Sequence, residues 1–470
     1  MVQYCLDFAI MDVNIIFGPP GTGKTYTLLE ILSEELKTYE PEEIAYVSFT
    51  KEGANQGKER ASKELGIAKN RMEYFRTLHS IAFKETNMKR VQVINKRFYK
   101  IFSEKMGMHF TGYYTEELHH NDDRYLFFNI LHRNNPKTAK RYMNDLDIQK
   151  LQHVTHNYKR FKHHYGLFDF TDMIELFNKN NTALPVKIAI IDEAQDLSTL
   201  QWEMIWIAFK DCDKIYIAGD DDQAIYEWSG ADVDYFLKLN GNIRILNQSY
   251  RLPNNVLSFS KSILNQIEHR VSKEYKGLSK DGNVTDIVDI DEVDLNNGET
   301  WMILCRNRYF LKEVEQKIRS KGLVYTKFKE PSVKTDDIKI INLFEKVRKT
   351  RIMNQAEEIK LKLHMKKDFD LSLPWYDNLD WSYDKLAYFR DILANKTNTK
   401  NINIKIETIH SVKGDESDNV ILMDNISRQV YLNTNNNPDS EHRVFYVGCT
   451  RAKKNLFILN GSTTYRYKFY

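Results

Sequence analysis

The chain has 470 residues, 28% charged and 42% hydrophobic, which allows about three compact units at roughly 150 residues each and excludes wholesale disorder. Its 68 Lys and Arg against 65 Asp and Glu leave a formal charge of +3, so the overall balance announces no polyanionic partner. No apolar run approaches the roughly 18 residues of a membrane span, the stretch before Asn14 lacks the basic start of a secretion signal, and Cys5, Cys212, Cys305 and Cys449 have no metal-ligand spacing, as expected of a soluble intracellular protein with reduced thiols.

In chain order, the β-branched run 13–17 (VNIIF) predicts a strand that leads into Gly18-Pro19-Pro20-Gly21-Thr22-Gly23-Lys24-Thr25. An apolar helical pattern at Leu28, Leu29, Ile31 and Leu32 follows. A second strand is predicted over 44–49. Residues 84–165 read as helical and basic, with 16 Lys and Arg against 8 Asp and Glu, a local +8. Eight of the 13 histidines lie there, including the adjacent pairs His119-His120 and His163-His164, but neighbours on a helix diverge and no metal-binding pattern results. Aromatics such as Tyr99, Phe102, Tyr113 and Tyr158 interleave with this charge, the composition of a phosphate-tracking surface; a solvated helical insertion has the same composition. Strands are predicted at 186–191, ending in Asp192-Glu193, and at 214–218, ending in Gly219-Asp220. The rhythm resumes at 243–246, 300–305, 420–423 and 456–459, which suggests a second α/β domain, interrupted by a charged helical stretch over 346–401. No fixed-period repeat is present.

The strand, glycine loop and helix at 13–32 form the context a phosphate loop requires. Gly18, Pro19, Pro20, Gly21, Thr22 and Gly23 let backbone N–H groups wrap phosphates, Lys24 neutralises the outer oxygens, and Thr25 offers a hydroxyl to Mg²⁺. Asp192 at a strand end suits the same metal, and Glu193 suits a base for the attacking water.

Longer motifs carry a specific resemblance. Asp192-Glu193-Ala194-Gln195-Asp196 and the run from Gly219 to Ala231 (GDDDQAIYEWSGA) resemble the second and third motifs of UvrD-like superfamily 1 helicases. Ser48-Phe49-Thr50, Thr77-Leu78-His79, the segment 168–172 (FDFTD), Gln248-Ser249-Tyr250-Arg251, the segment 408–416 (TIHSVKGDE) and the segment 443–452 (RVFYVGCTRA) resemble the remaining motifs in the family order. The matches run from Gly18 to Ala452.

The resemblance implies an α/β fold of two RecA-like domains with parallel sheets and two mostly helical insertions. Its implied boundaries are 1–83 with 166–240 for domain 1A, 84–165 for a 1B-like insertion, 241–345 with 402–470 for 2A, and 346–401 for a reduced 2B-like insertion. It implies an ATP-dependent DNA helicase that moves 3′ to 5′ on single-stranded DNA, uses ATP and Mg²⁺, and acts on duplex junctions in a bacterial or phage-infected cytoplasm with replication, repair or defence proteins. Gln223 would sense the γ-phosphate, and Arg251 and Arg451 would be arginine fingers supplied by the second domain. Tyr250 would stack on adenine, Gln3 would read it, and Gly414 and Glu416 would lie at the nucleotide, Glu416 reaching the ribose. Phe49, Thr50, Thr77, His79, Tyr226, Trp228 and His410 would form the DNA track.

Some features depart from the family pattern. Tyr26 follows the loop where many relatives carry Arg, and GPPGTGKT is commoner in the branch that travels 5′ to 3′; the longer third motif favours the UvrD branch. The stretch 346–401 is too short for a full regulatory 2B, and the 19 residues after Arg451 leave no room for a fused nuclease. A DNA-stimulated ATPase that translocates or senses ends without processive unwinding is the alternative. A P-loop NTPase acting on proteins is disfavoured by the aromatic third motif.

Overall fold

The computed structural model describes residues 11–114, 121–141, 143 and 146–469. Gln3, Cys5, His119 and His120 lie outside the described residues. The chain folds as two units. The first takes the chain through Leu252 together with Leu264–Ser279 and Asn437–Tyr446; the second takes Pro253–Ile263, Lys280–Asn436 and Val447 onward.

The first unit is built on six strands: β1 (Asp12–Phe17), β2 (Ile44–Ser48), β3 (Phe75–Arg76), β4 (Ile188–Asp192), β5 (Lys214–Gly219) and β6 (Asn242–Ile245), in the order β3-β2-β4-β5-β1-β6. Every pairing is parallel. The central strands are apolar on both sides because both faces are covered. Ile15, Phe17, Ala189, Ile191 and Ile217 pack with Met173, Phe177, Trp202 and Ile205 on one face. Their alternating neighbours Ile16, Tyr46, Ile188 and Ile190 pack with Leu28, Leu29 and Leu32 on the other. The run 243–246, which the sequence rhythm assigns to a second sheet, instead extends this one: β6 pairs with β1, and Leu246 N–H donates to the Phe17 carbonyl at 2.9 Å. Strand rhythm reports alternation but not which sheet edge a strand joins. Two short strands, β7 (Gln248–Pro253) and β8 (Lys276–Leu278), pair with each other.

The stretch 84–165 is helical as predicted, with helices Lys96–Met106, Asp123–Asn134, Pro136–Lys140 and Ile148–Tyr165. Its aromatics depart from the expected surface role. Tyr99, Phe102 and Tyr158 are buried, with Val154 and Phe161, in a core of the insertion's own, and only Tyr113 of the four is exposed. Their i, i+3 and i, i+4 spacing is the ordinary stripe of a packed helix.

The second unit carries β9 (Asn283–Ile287), β10 (Trp301–Cys305), β11 (Tyr325–Lys327), β12 (Glu330–Pro331), β13 (Ile404–Thr408), β14 (Ser417–Met423) and β15 (Ala452–Leu459) in the order β12-β11-β13-β10-β14-β15-β9. All pairings are parallel except the β11–β12 hairpin. Trp375, Leu379, Phe389 and Ile392, from the interrupting stretch 346–401, belong to this unit's core. Among the described residues no helix is long and apolar enough to cross a membrane.

Candidate functional site

The loop after β1 is held open by its backbone. Gly18 N–H donates to the Gly219 carbonyl at 2.9 Å, so the loop leaves the sheet beside the end of β5. Gly21 and Gly23 adopt φ of 72° and 79°. At Gly21 the demand is double, because a Cβ there would come within 2.4 Å of the Arg251 Cβ. Gly23 caps the helix Lys24–Glu35 without a side-chain hydrogen bond, and no acidic residue sits in the first turn, so the positive end of the helix faces the loop.

Lys24 Nζ lies 2.8 Å from Glu193 Oε1 and 3.9 Å from Asp192 Oδ1. Burial works against its charge, but Glu193 and Asp192 outweigh it and hold the ammonium above its ordinary range. Asp192, buried at the end of β4, accepts from the Tyr46 hydroxyl at 3.1 Å and from the Glu193 N–H at 2.9 Å. Burial and the neighbouring Glu193 push its carboxyl upward against the pull of Lys24. Glu193 itself has a left-handed backbone, φ 56°, a conformation that costs a non-glycine residue about 1 kcal/mol or more and that clusters at working sites.

From Glu193 a hydrogen-bonded line runs to the third motif. Gln195 Nε2 donates to Glu193 Oε2 at 2.5 Å, Gln195 Oε1 accepts the Asp220 N–H at 3.0 Å, and Gln223 Nε2 donates to Asp220 Oδ2 at 2.6 Å. Asp220, Asp221 and Asp222 are fully buried and close enough together to suit a metal, yet the Lys273 ammonium stands among them, 3.0 Å from Asp220 Oδ1 and 2.9 Å from Asp222 Oδ2 and bonded to Asp221 as well. Arg270 adds a bidentate pair to Asp222, both bonds at 2.7 Å. Sequence reading missed Lys273, Arg270 and the bridging role of Gln195. Gln195 is a polar residue two places after Glu193 and could have been found; the segment 270–276 (RVSKEYK) resembles any solvated charge run.

Three of the expected nucleic-acid residues of the first unit, Phe49, Tyr226 and Trp228, form one row. The rings of Phe49 and Tyr226 stack at 5.6 Å, and Tyr226 meets Trp228 edge-on at 6.5 Å. Phe127 of the basic insertion, which sequence reading did not single out, lies 6.3 Å beyond Trp228. Thr50 and Thr77 cap the helices Lys51–Leu65 and Leu78–Glu85, accepting from Gly53 N–H at 3.0 Å and Ser80 N–H at 3.2 Å. Capping uses a hydroxyl lone pair and leaves the O–H to donate. His79 lies edge-on to the exposed ring of Phe170 at 5.5 Å, and burial pushes its imidazole down to about 4 despite Asp169, so it is neutral at pH 7.

Arg251 and Tyr250 lie on β7 within the first unit, not in the second unit from which Arg251 was expected. Tyr250 N–H donates to the Gly21 carbonyl at 2.8 Å and Ser249 Oγ to the Pro20 carbonyl at 2.7 Å, which ties this strand to the phosphate loop. The Tyr250 ring is 71% exposed, available for stacking. His410, Gly414, Glu416 and Arg451 belong to the second unit. There Arg451 is buried and donates to the carbonyls of Val447 at 2.9 Å and Asp415 at 3.2 Å. Glu416 is exposed beside Lys453 at 3.7 Å, and Gly414 turns at φ 91°.

ATP-dependent DNA helicase Rep of Buchnera aphidicola subsp. Acyrthosiphon pisum is 24% identical over 340 residues, 66% of this chain and 51% of that protein. DNA helicase II of Escherichia coli is 22% identical over 61% of this chain and 44% of its own length. The chain thus spans about half the length of these relatives, while the Rep protein of Buchnera aphidicola subsp. Schizaphis graminum aligns over 96% of this chain and 92% of its own, at 22% identity. The solved structure titled "The structure of PRRSV helicase" covers 95% of this chain and 52% of its own at 10% identity and a TM-score of 0.35. The UvrD/REP helicase N-terminal domain matches residues 8–244, half of the chain and the part that holds the phosphate loop, Asp192-Glu193 and the aromatic row, and the chain belongs to that family.

Proposed function

We propose that this protein is an ATP-driven DNA helicase that moves 3′ to 5′ on single-stranded DNA and separates duplex. The observation that carries the reading is the continuous line from Lys24 through Glu193, Gln195 and Asp220 to Gln223, beside the row Phe49, Tyr226 and Trp228. It joins a phosphate-binding loop to a surface suited to stacking bases. On this reading Lys24 binds the outer phosphate oxygens, and Glu193 takes a proton from the water that attacks the γ-phosphorus as ADP leaves. Mg²⁺ suits the donors available: the Thr25 hydroxyl and the Asp192 carboxylate are hard oxygens, and Ser48, paired in register with Asp192, keeps a buried hydroxyl without a hydrogen-bond partner among the described residues. The ion supplies charge neutralisation of the phosphates when bound. Tyr250 stacks on adenine with Gln3 reading its edge, Glu416 and Gly414 meet the ribose side, and Arg251 and Arg451 offset charge in the transition state.

The corresponding division is 1A over 1–83 and 166–240, 1B over 84–165, 2A over 241–345 and 402–470 and a reduced 2B over 346–401, except that 241–252, 264–279 and 437–446 fall with the first unit. Because the last stretch contributes Trp375 and Phe389 to the second unit's core, a motor that translocates without processive unwinding is the competing reading. Matched duplexes with a 3′ or a 5′ single-stranded tail, incubated with ATP and Mg²⁺, test both. Opening of only the 3′-tailed duplex is expected, and Glu193→Gln should lose hydrolysis by about 10²–10⁴-fold. Preference for the 5′ tail would overturn the polarity. Stimulated hydrolysis with neither duplex opened would favour the translocase.

A further inference from the structure

Three consecutive carboxylates at a strand end, all fully buried, are an expensive arrangement unless a cation is built in. In this chain it is built in from far along the sequence. Lys273 is itself completely buried and touches all three, and its Nζ also stands 5.6 Å from the Phe17 ring centroid, at the end of β1 where the phosphate loop begins. Asp220 divides its oxygens: Oδ1 meets Lys273, and Oδ2 accepts the Gln223 amide. The same residue's N–H is fixed by Gln195, which also holds Glu193. The other two carboxylates have separate holders, Arg270 for Asp222 and the Val271 N–H for Asp221 at 2.9 Å.

We infer that Lys273 is a positioning residue for ATP hydrolysis: by holding the Asp220 carboxylate in place, it sets the orientation of the Gln223 amide toward the nucleotide. The Asp220 carboxylate accepts from the NH₂ of Gln223 and so turns the amide oxygen the other way. A displaced Asp220 would release the amide. The inference rests on the ATPase reading above and adds to it a residue outside every recognised motif. Burial opposes charge on Lys273, but the three carboxylates outweigh it and hold the ammonium well above its usual range, so it stays a cation wherever the enzyme works. The other titratable groups around the triad are Arg270, Lys24, Tyr275 and Tyr446, with both tyrosines pushed upward by burial.

The experiment compares full-length wild type with Lys273→Met combined with Asp221→Asn, which removes one buried charge of each sign. Single-stranded DNA-stimulated hydrolysis is measured against ATP concentration, alongside the melting temperature. The expected result is a fall in kcat of about 10²-fold with the KM for ATP within about twofold. Unchanged kcat overturns the inference, as does a fall in kcat accompanied by a raised KM and a lowered melting temperature, which marks a purely structural lysine. Should the paired variant fail to fold, Lys273→Arg decides. Its planar fork cannot meet three carboxylates as a point charge does. It should lower kcat several-fold in wild type and have no further effect in a Gln223→Ala background; equal effects in both backgrounds overturn the inference. A wild type that shows no DNA-stimulated hydrolysis would instead count against the ATPase reading itself.

Discussion

His79 illustrates how a side chain chosen for one chemistry can be tuned for another. The residue lies in a motif expected to contact nucleic acid, where a cationic imidazole would be natural, yet burial depresses it to about 4. On the proposed reading it would meet a nucleic acid as a neutral ring or hydrogen-bonding group. The fold favours the neutral form, so the stability it contributes is complete above about pH 6.5 and is lost as pH falls towards 4. His79→Phe should flatten that part of the stability profile, read as urea midpoints at pH 7 and pH 4.5; an unchanged difference between the two would show that His79 does not titrate with folding. At this scale the sequence was most legible where chemistry forces residue type. Lys24, Asp192, Glu193 and Gln223, singled out because phosphate and water chemistry admit few residue types, stand in one connected line. Tyr99 and Phe102 were misread because an aromatic on a basic helix has the same spelling whether it faces solvent or core.

Charge ties the insertion 84–165 to the helix Phe170–Asn180 of the first unit. Arg133, at the end of the helix Asp123–Asn134, reaches Asp169 at 3.1 Å, Asp172 at 2.5 Å and Glu175 at 2.6 Å, and Lys162 reaches Asp169 at 2.5 Å and Asp172 at 2.6 Å. Asp169 is almost fully buried; burial alone would raise its carboxyl, but Lys162 and Arg133 bring it below the usual range. Lys162→Met therefore leaves buried carboxylates short of a partner and should cost about 3–5 kcal/mol in denaturant melts, with much of the loss recovered when Asp172→Asn is added. A loss no larger in the single variant than in the pair would mean the latch carries no stability. A second tie comes from Asn135, whose amide donates to the carbonyls of Gly230 and Ala231, and from Arg141 on Glu227 at 3.1 Å. Sequence patterning found the helices of this insertion but could not find the ties of Arg133, Asn135 and Arg141, because these residues are separated from their partners by 36 to 96 positions and no local period encodes that distance.

Across the whole molecule, charge and connectivity tell different stories. The excess of positive charge is local to the insertion, with Lys96, Arg97, Lys100, Lys159 and Arg160 exposed, while the remainder of the chain is net acidic. That asymmetry was readable from counting. Connectivity was not: two parallel sheets were foreseen, but the return of Leu264–Ser279 and Asn437–Tyr446 to the first unit was hidden, since neither segment belongs to its sheet. This return bears on what can be cut out of the gene and still fold. A fragment ending at Ile245 would contain the whole stretch that matches the family domain, every strand of the first sheet and all three carboxylates after β5, but neither Arg270 nor Lys273. With its counter-ions left on the discarded half, such a fragment should be aggregated or molten at neutral pH by near-ultraviolet circular dichroism, and should gain order when a peptide spanning 264–279 is supplied. Native-like spectra for the fragment alone would refute this. The boundary that inheritance draws around residues 8–244 is therefore not one at which a protease or a cloning strategy could cut without penalty.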